Sequence, residues 1–206
     1  MAISLFSQNF VENGSFEGLK FRNEINQVEN GFTQLKLLED YSWLPFSPEG
    51  IKVYFENSES KYAAINISKK EFVQSQLCCF PSSGIEYQVT VTTRLNQFSK
   101  NGISYITVYF LARPYEKDKE IEALRELILT FDPTIDDWQE ISSTFTSSGE
   151  ERYILIGNTS RIEGDILVDI NKDGFEEDII LDLQSIAVRL YSGQKENQKV
   201  PKKVEF

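Results

Sequence analysis

The sequence predicts an all-β fold: an antiparallel two-sheet β-sandwich with one short inserted helix. Two observations carry this. Runs of alternating apolar and polar residues recur along the chain, separated by turn-forming residues every roughly 8–15 positions, and only one segment has helical periodicity. With 206 residues, 40% of them apolar and 13% aromatic, the chain can fill one sandwich core. A single domain over residues 1–192 is expected, followed by a polar tail over 193–206 that is flexible or docks on a partner.

The first clear strands are predicted at 51–56 and 62–67, joined by the polar turn 57–60. A third runs over 72–80, and Pro81-Ser82-Ser83-Gly84 turns the chain into 87–95, where Val89 and Val91 alternate with Thr90 and Thr92. That alternation implies one buried and one wet face. Asn101-Gly102 leads into 103–112, apolar on both sides, which reads as a strand buried on both faces or facing a ligand groove. Ile121, Leu124, Leu127 and Ile128 fall at helical spacing among many charges, so a two- to three-turn amphipathic helix is predicted within 116–129. Strands at 138–146, 153–157, 165–169 and 179–191 complete the pattern.

Charge and composition exclude several functions. The formal net charge of −11 opposes phosphate backbones and anionic lipid, so neither nucleic acid nor a membrane is an expected partner. No apolar run approaches the ~18 residues of a membrane span, and no signal peptide is visible in Met1-Ala2-Ile3-Ser4-Leu5-Phe6. The chain has no histidine, which removes Ser-His-Asp and Cys-His catalysis and histidine-ligated zinc. No enzyme is expected. Cys78 and Cys79 are adjacent in a strand-like run, so their side chains should point to opposite faces as small, buried or half-buried groups, with redox chemistry or metal binding as the alternative.

The sharpest local motif is Asp169-Ile170-Asn171-Lys172-Asp173-Gly174-Phe175-Glu176-Glu177-Asp178. Oxygen-bearing side chains at its first, third and fifth positions, then a glycine for the sharp turn, can wrap a hard cation with oxygens about 2.4 Å away. Asp169, Asn171, Asp173, the Phe175 carbonyl and Glu177 or Asp178 would form the calcium shell. The same residues also favour a plain hairpin turn.

Asn13-Gly14-Ser15-Phe16-Glu17 near the start, the strand 180–188 near the end, and between them Gln76-Leu77 before Gly84–Val91 and Trp138–Thr146 before Tyr153–Gly157 share their order with one family. Over roughly residues 9–191 the chain resembles carbohydrate-binding modules of the jelly-roll, galactose-binding-like superfamily. The resemblance implies a second, structural calcium held by Glu17 and Asp182, and a glycan as ligand. Sugar recognition needs aromatic faces and planar polar groups; the candidates are Tyr41, Trp43, Tyr105 and Tyr109 with Gln88, Arg94 and Gln97. Packing inside the sandwich is the competing role for these aromatics, and Trp43 and Trp138 match family positions that are often core.

The expected function is a non-catalytic, calcium-stabilised module that recognises a polysaccharide or other glycan. The alternative is a structural or adhesive subunit of a virion or surface assembly, using the same fold for contacts with itself or partner proteins. Either places the protein in an extracellular, cell-surface or virion setting.

Overall fold

A computed structural model describes residues 9–11, 32–35, 43–46, 51–55, 61–96, 99, 101–116, 119–158, 168–169 and 179–191. The strands in chain order are β1 (Phe32–Leu35), β2 (Trp43–Phe46), β3 (Ile51–Phe55), β4 (Lys61–Asn66), β5 (Phe72–Gln76), β6 (Glu86–Leu95) and β7 (Asn101–Gly102). They continue with β8 (Tyr105–Leu111), β9 (Arg125–Thr130), β10 (Gln139–Thr146), β11 (Tyr153–Ile156), β12 (Val168–Asp169) and β13 (Ile180–Leu190). One sheet has the order β1-β3-β4-β13-β6-β10, the other β2-β5-β11-β8-β9, and β12 pairs with β7 in a short ribbon. All pairs are antiparallel. The fold is the expected antiparallel β-sandwich.

Period-two alternation decides which face each strand buries. On β6, Tyr87, Val89, Val91 and Leu95 enter the core, and on β13 so do Leu181, Leu183, Ile186 and Val188. Opposite them stand Ile106, Val108 and Phe110 of β8 with Ile154 and Ile156 of β11, all fully buried. Phe110 meets Phe145 with ring centroids 4.3 Å apart. On β13 the apolar spacing changes from two to three between Leu183 and Ile186. A bulge between Leu183 and Ser185 absorbs the extra residue and returns Ile186 and Val188 to the core.

The expected helix is not formed. β9 occupies 125–130, and the described residues of 116–129 contain no helix. Leu129 and Phe131 fill the core at period two, with Leu127 packed against it, and β8 offers a hydrogen-bonding edge. Burial and pairing outweigh the helical spacing of Ile121, Leu124 and Ile128. Ile128 is left 60% exposed on the outer side.

The five-stranded sheet is apolar on both faces along β8, as its sequence predicts. Tyr109 and Leu111 join Phe72 and Leu155 in a second cluster outside the main core, with Tyr115 and Ile121 packed against it. Gln74 anchors this layer by accepting the Tyr115 N–H at 2.6 Å.

Between β10 and β11 the turn at 147–150 is organised by Glu151, which is 0% exposed. Its Oε2 accepts the Ser147 hydroxyl at 2.6 Å and the Gly149 N–H at 3.0 Å; its Oε1 accepts the Ser148 N–H at 2.8 Å and the Ser148 hydroxyl at 2.9 Å. Burial pushes its pKa up, but the hydrogen bonds from Ser147, from Ser148 and from its own backbone outweigh that and hold it below the usual glutamate value. A folded pKa below the unfolded one gives stability that is complete above the unfolded pKa and lost as pH falls through the folded one. Glu151→Gln should therefore cost about 1–3 kcal/mol at neutral pH. It should also flatten the acid limb of a urea-midpoint-against-pH curve; an unchanged limb would show that Glu151 does not contribute to it.

Candidate functional site

Residues of β6 that alternate with the core positions form a half-exposed polar row: Gln88, Thr90, Thr92 and Arg94. β13 flanks this row on one side and β10 on the other. Ser185 of β13 donates its hydroxyl to Thr92 Oγ1 at 2.8 Å, and Gln88 donates to Ser142 Oγ of β10 at 3.2 Å. Glu140, Ser142, Thr144 and Thr146 of β10 are exposed. The outer face of the six-stranded sheet is thus lined here by hydroxyl and amide groups.

At one end of the row the character changes. Arg94 pairs in register with Asp182, and Asp182 with Ala64 of β4. Because Leu181 and Leu183 face the core, Asp182 points to the outer face, yet it is 1% exposed. Its Oδ2 accepts Arg94 Nε at 3.1 Å and its Oδ1 accepts Asn96 Nδ2 at 2.7 Å. Arg94 Cζ sits 4.2 Å from the Trp138 ring centroid and 5.3 Å from that of Tyr62. Those two rings meet edge to face at 5.5 Å and 67°. Trp138 and Tyr62 are half-buried, and the Arg94 side chain is 20% exposed.

The arrangement is preorganised. A carboxylate fixes the guanidinium on one edge, two aromatic rings hold its plane, and an amide fixes the carboxylate in turn. Two half-buried rings and a guanidinium that is 20% exposed thus stand together at one end of the row of hydroxyls.

Of the residues expected at the site, Gln88, Arg94 and Asp182 share this face. Tyr105 and Tyr109 do not: they lie on β8 of the other sheet, and Tyr109, 3% exposed in the second apolar cluster, offers no face to a ligand. Trp43 lies in β2, opposite Ser75 of the five-stranded sheet. Tyr41, Gln97 and Glu17 lie outside the described residues. Trp138, which matches a family position that is often core, stands at the outer face against Arg94, and sequence reasoning missed Tyr62 and Asn96. The available signal was alternation: Ala63 and Ile65 are core positions, so Tyr62 must face outward.

Both oxygens of Asp182 accept hydrogen bonds, one of them from the Arg94 guanidinium, and Glu17, its partner in the implied structural calcium site, lies outside the described residues. Asp169 ends β12, paired with Asn101, while Asn171, Asp173, Phe175, Glu177 and Asp178 lie outside the described residues. Among the described residues no group of three or more acidic or cysteine side chains is placed to hold a metal, and no helix is long and apolar enough to cross a membrane.

Fold and face together define a two-sheet antiparallel β-sandwich with a polar-aromatic outer sheet. Solved structures similar to it include carbohydrate-binding modules. TmCBM61, solved in complex with β-1,4-galactotriose, is similar at TM-score 0.46 and 10% identity over 90% of this chain and 100% of that one. The CBM22-1 xylan-binding domain of Xyn10C from Paenibacillus barcinonensis gives TM-score 0.43 and 11% identity over 72% and 85%. The enzymatically active domain of tailspike protein 4 from bacteriophage CBA120 gives TM-score 0.45 and 10% identity over 89% of this chain; the match spans 21% of the tailspike chain. No protein-family model and no curated protein matches the sequence.

Proposed function

We propose that the protein is a non-catalytic glycan-binding module whose ligand lies on the outer face of the six-stranded sheet. The observation that carries this reading is the Arg94 guanidinium fixed between Asp182, Trp138 and Tyr62 at the end of a row of hydroxyls and amides. A pyranose presents an apolar face for aromatic contact and equatorial hydroxyls for planar donors, and this patch offers both. The net charge of −11 favours a neutral glycan over a polyanionic one. Binding of an extended polymer suits an extracellular, cell-surface or virion setting.

Affinity electrophoresis through gels carrying different neutral polysaccharides tests it. At least one should retard the wild type, and Trp138→Ala should lose about 1–2 kcal/mol of affinity, roughly a tenfold weakening. If no polysaccharide retards the protein while light scattering finds a stable oligomer in sugar-free buffer, the assembly-subunit reading takes its place. The exposed Ile128 on the edge strand β9 is the feature that favours that second reading.

Calcium stabilisation forms part of the proposal and rests on the sequence of the loop 169–178. Bound there, calcium would tie the oxygens of one short loop together. Saturation at about 100 times the dissociation constant should raise stability by about 2.7 kcal/mol. The thermal shift should be specific for calcium over magnesium and absent in Asp173→Ala; no shift with calcium after chelator treatment would sink the claim without touching the sheet face.

A further inference from the structure

The two cysteines do not sit as strand geometry alone requires. β5 ends at Gln76, Leu77 makes a single bridge to Val11, and the chain bends at Cys78 and Cys79. The bend replaces the opposite orientations of neighbouring strand residues, so both side chains converge, with the sulfurs 3.7 Å apart. Cys79 is half-buried, as a small apolar role allows, but Cys78 is exposed. The Cys78 thiol donates to the Asn9 carbonyl at 3.6 Å.

Two chemistries could use such a pair. Adjacent residues hold their Cα atoms about 3.8 Å apart, shorter than the ~4.4 Å at which disulfides begin, so closing the pair into a disulfide is strained. A metal or metalloid bonded to both sulfurs needs no closure. With metal–sulfur bonds of about 2.3 Å at a tetrahedral angle, the sulfurs stand about 3.8 Å apart, close to the separation present.

We infer that Cys78 and Cys79 form a bidentate site for soft, thiophilic metal and metalloid ions. Thiolates select soft ions over the oxygen-seeking calcium and magnesium. The chain has no imidazole to complete a zinc shell, which favours ions satisfied by few protein ligands. An organoarsenic(III) oxide is the simplest such reagent. Two As–S bonds form, the arsenic–oxygen bond breaks, and the oxygen leaves as water with the two thiol protons; arsenic stays trivalent throughout.

The test treats the full-length reduced protein with one equivalent of phenylarsine oxide and reads intact mass. The wild type should carry one phenylarsenic group that survives a large excess of monothiol and is released by a dithiol. Cys78→Ser and Cys79→Ser should each lose the adduct in the monothiol wash, with unchanged circular dichroism showing that the variants are folded. Retention by either variant would overturn the proposal. So would the absence of an adduct on wild type whose two thiols both react with iodoacetamide, or recovery of the untreated protein as a Cys78–Cys79 disulfide two hydrogens lighter.

Discussion

Arg94→Ala is expected to abolish retention on any polysaccharide that binds the wild type and to lower stability by about 3 kcal/mol. The stability loss follows from what the guanidinium leaves behind. Asp182 is 1% exposed, and without Arg94 its carboxylate keeps the Asn96 amide but loses its cation, while removing one partner of a buried ion pair typically costs about 3–5 kcal/mol. The 20% exposure of the Arg94 side chain admits some solvent screening and puts the value at the low end. The binding loss has a separate origin, since in the proposed site the Arg94 guanidinium is the group against which the Trp138 ring packs. Arg94→Ala/Asp182→Ala separates the two: removing both charges should restore part of the stability and none of the binding, in urea unfolding and gel retardation respectively. A double variant as unstable as the sum of the singles would mean that the pair is not coupled.

The two outer faces of the sandwich use their aromatic rings differently. Over the five-stranded sheet, the segment between β8 and β9 brings Tyr115 and Ile121 onto Phe72, Tyr109, Leu111 and Leu155. Aromatic rings there are used in packing. On the six-stranded sheet, β6 and β10 turn threonine, serine and glutamine outward, and the rings of Tyr62 and Trp138 remain half-exposed. The difference between the two faces is therefore written in the polar halves of the strand patterns.

Much of the fold was legible because period-two alternation acts locally. β6, β8, β10, β11 and β13 fall where their patterns place them, and the double-sided burial of β8 follows from its apolar run. β9 was not legible as a strand, because Leu127, Leu129 and Phe131 at period two overlap Ile121, Leu124 and Ile128 at helical period. The tertiary environment made the choice. Cys78 and Cys79 were misplaced because a bend after Leu77 ends the alternation, and no glycine or proline marks it before Pro81. The candidate site was legible only in part. Arg94 and Asp182 could be named one by one, but their pairing joins residues 88 positions apart, and the positions of Tyr62 and Trp138 beside them depend on the order β4-β13-β6-β10, which no local pattern contains.

Gly157→Ala is the substitution expected to damage the fold most. At the end of β11, Gly157 has a φ of 149°, in the region that favours glycine. A Cβ there would lie 2.5 Å from Phe72 Cδ1 and 2.7 Å from the Glu71 carbonyl oxygen. The Phe72 ring cannot move freely because it is 3% exposed within the second apolar cluster, and the carbonyl belongs to backbone. Relief must come from displacing the chain, and the residue after the glycine resists that. Asn158 accepts the Thr107 N–H at 2.8 Å and donates to the Tyr105 carbonyl at 3.3 Å, continuing the β8–β11 pairing through its side chain. Backbone strain of about 1–3 kcal/mol adds to an overpacking cost of about 1–3 kcal/mol, so a loss of about 4 kcal/mol is expected in urea unfolding. Phe72→Leu in the Gly157→Ala background should recover part of it by clearing the ring edge. A Gly157→Ala variant as stable as the wild type would show that this approach of β11 to Phe72 and Glu71 is not fixed in solution.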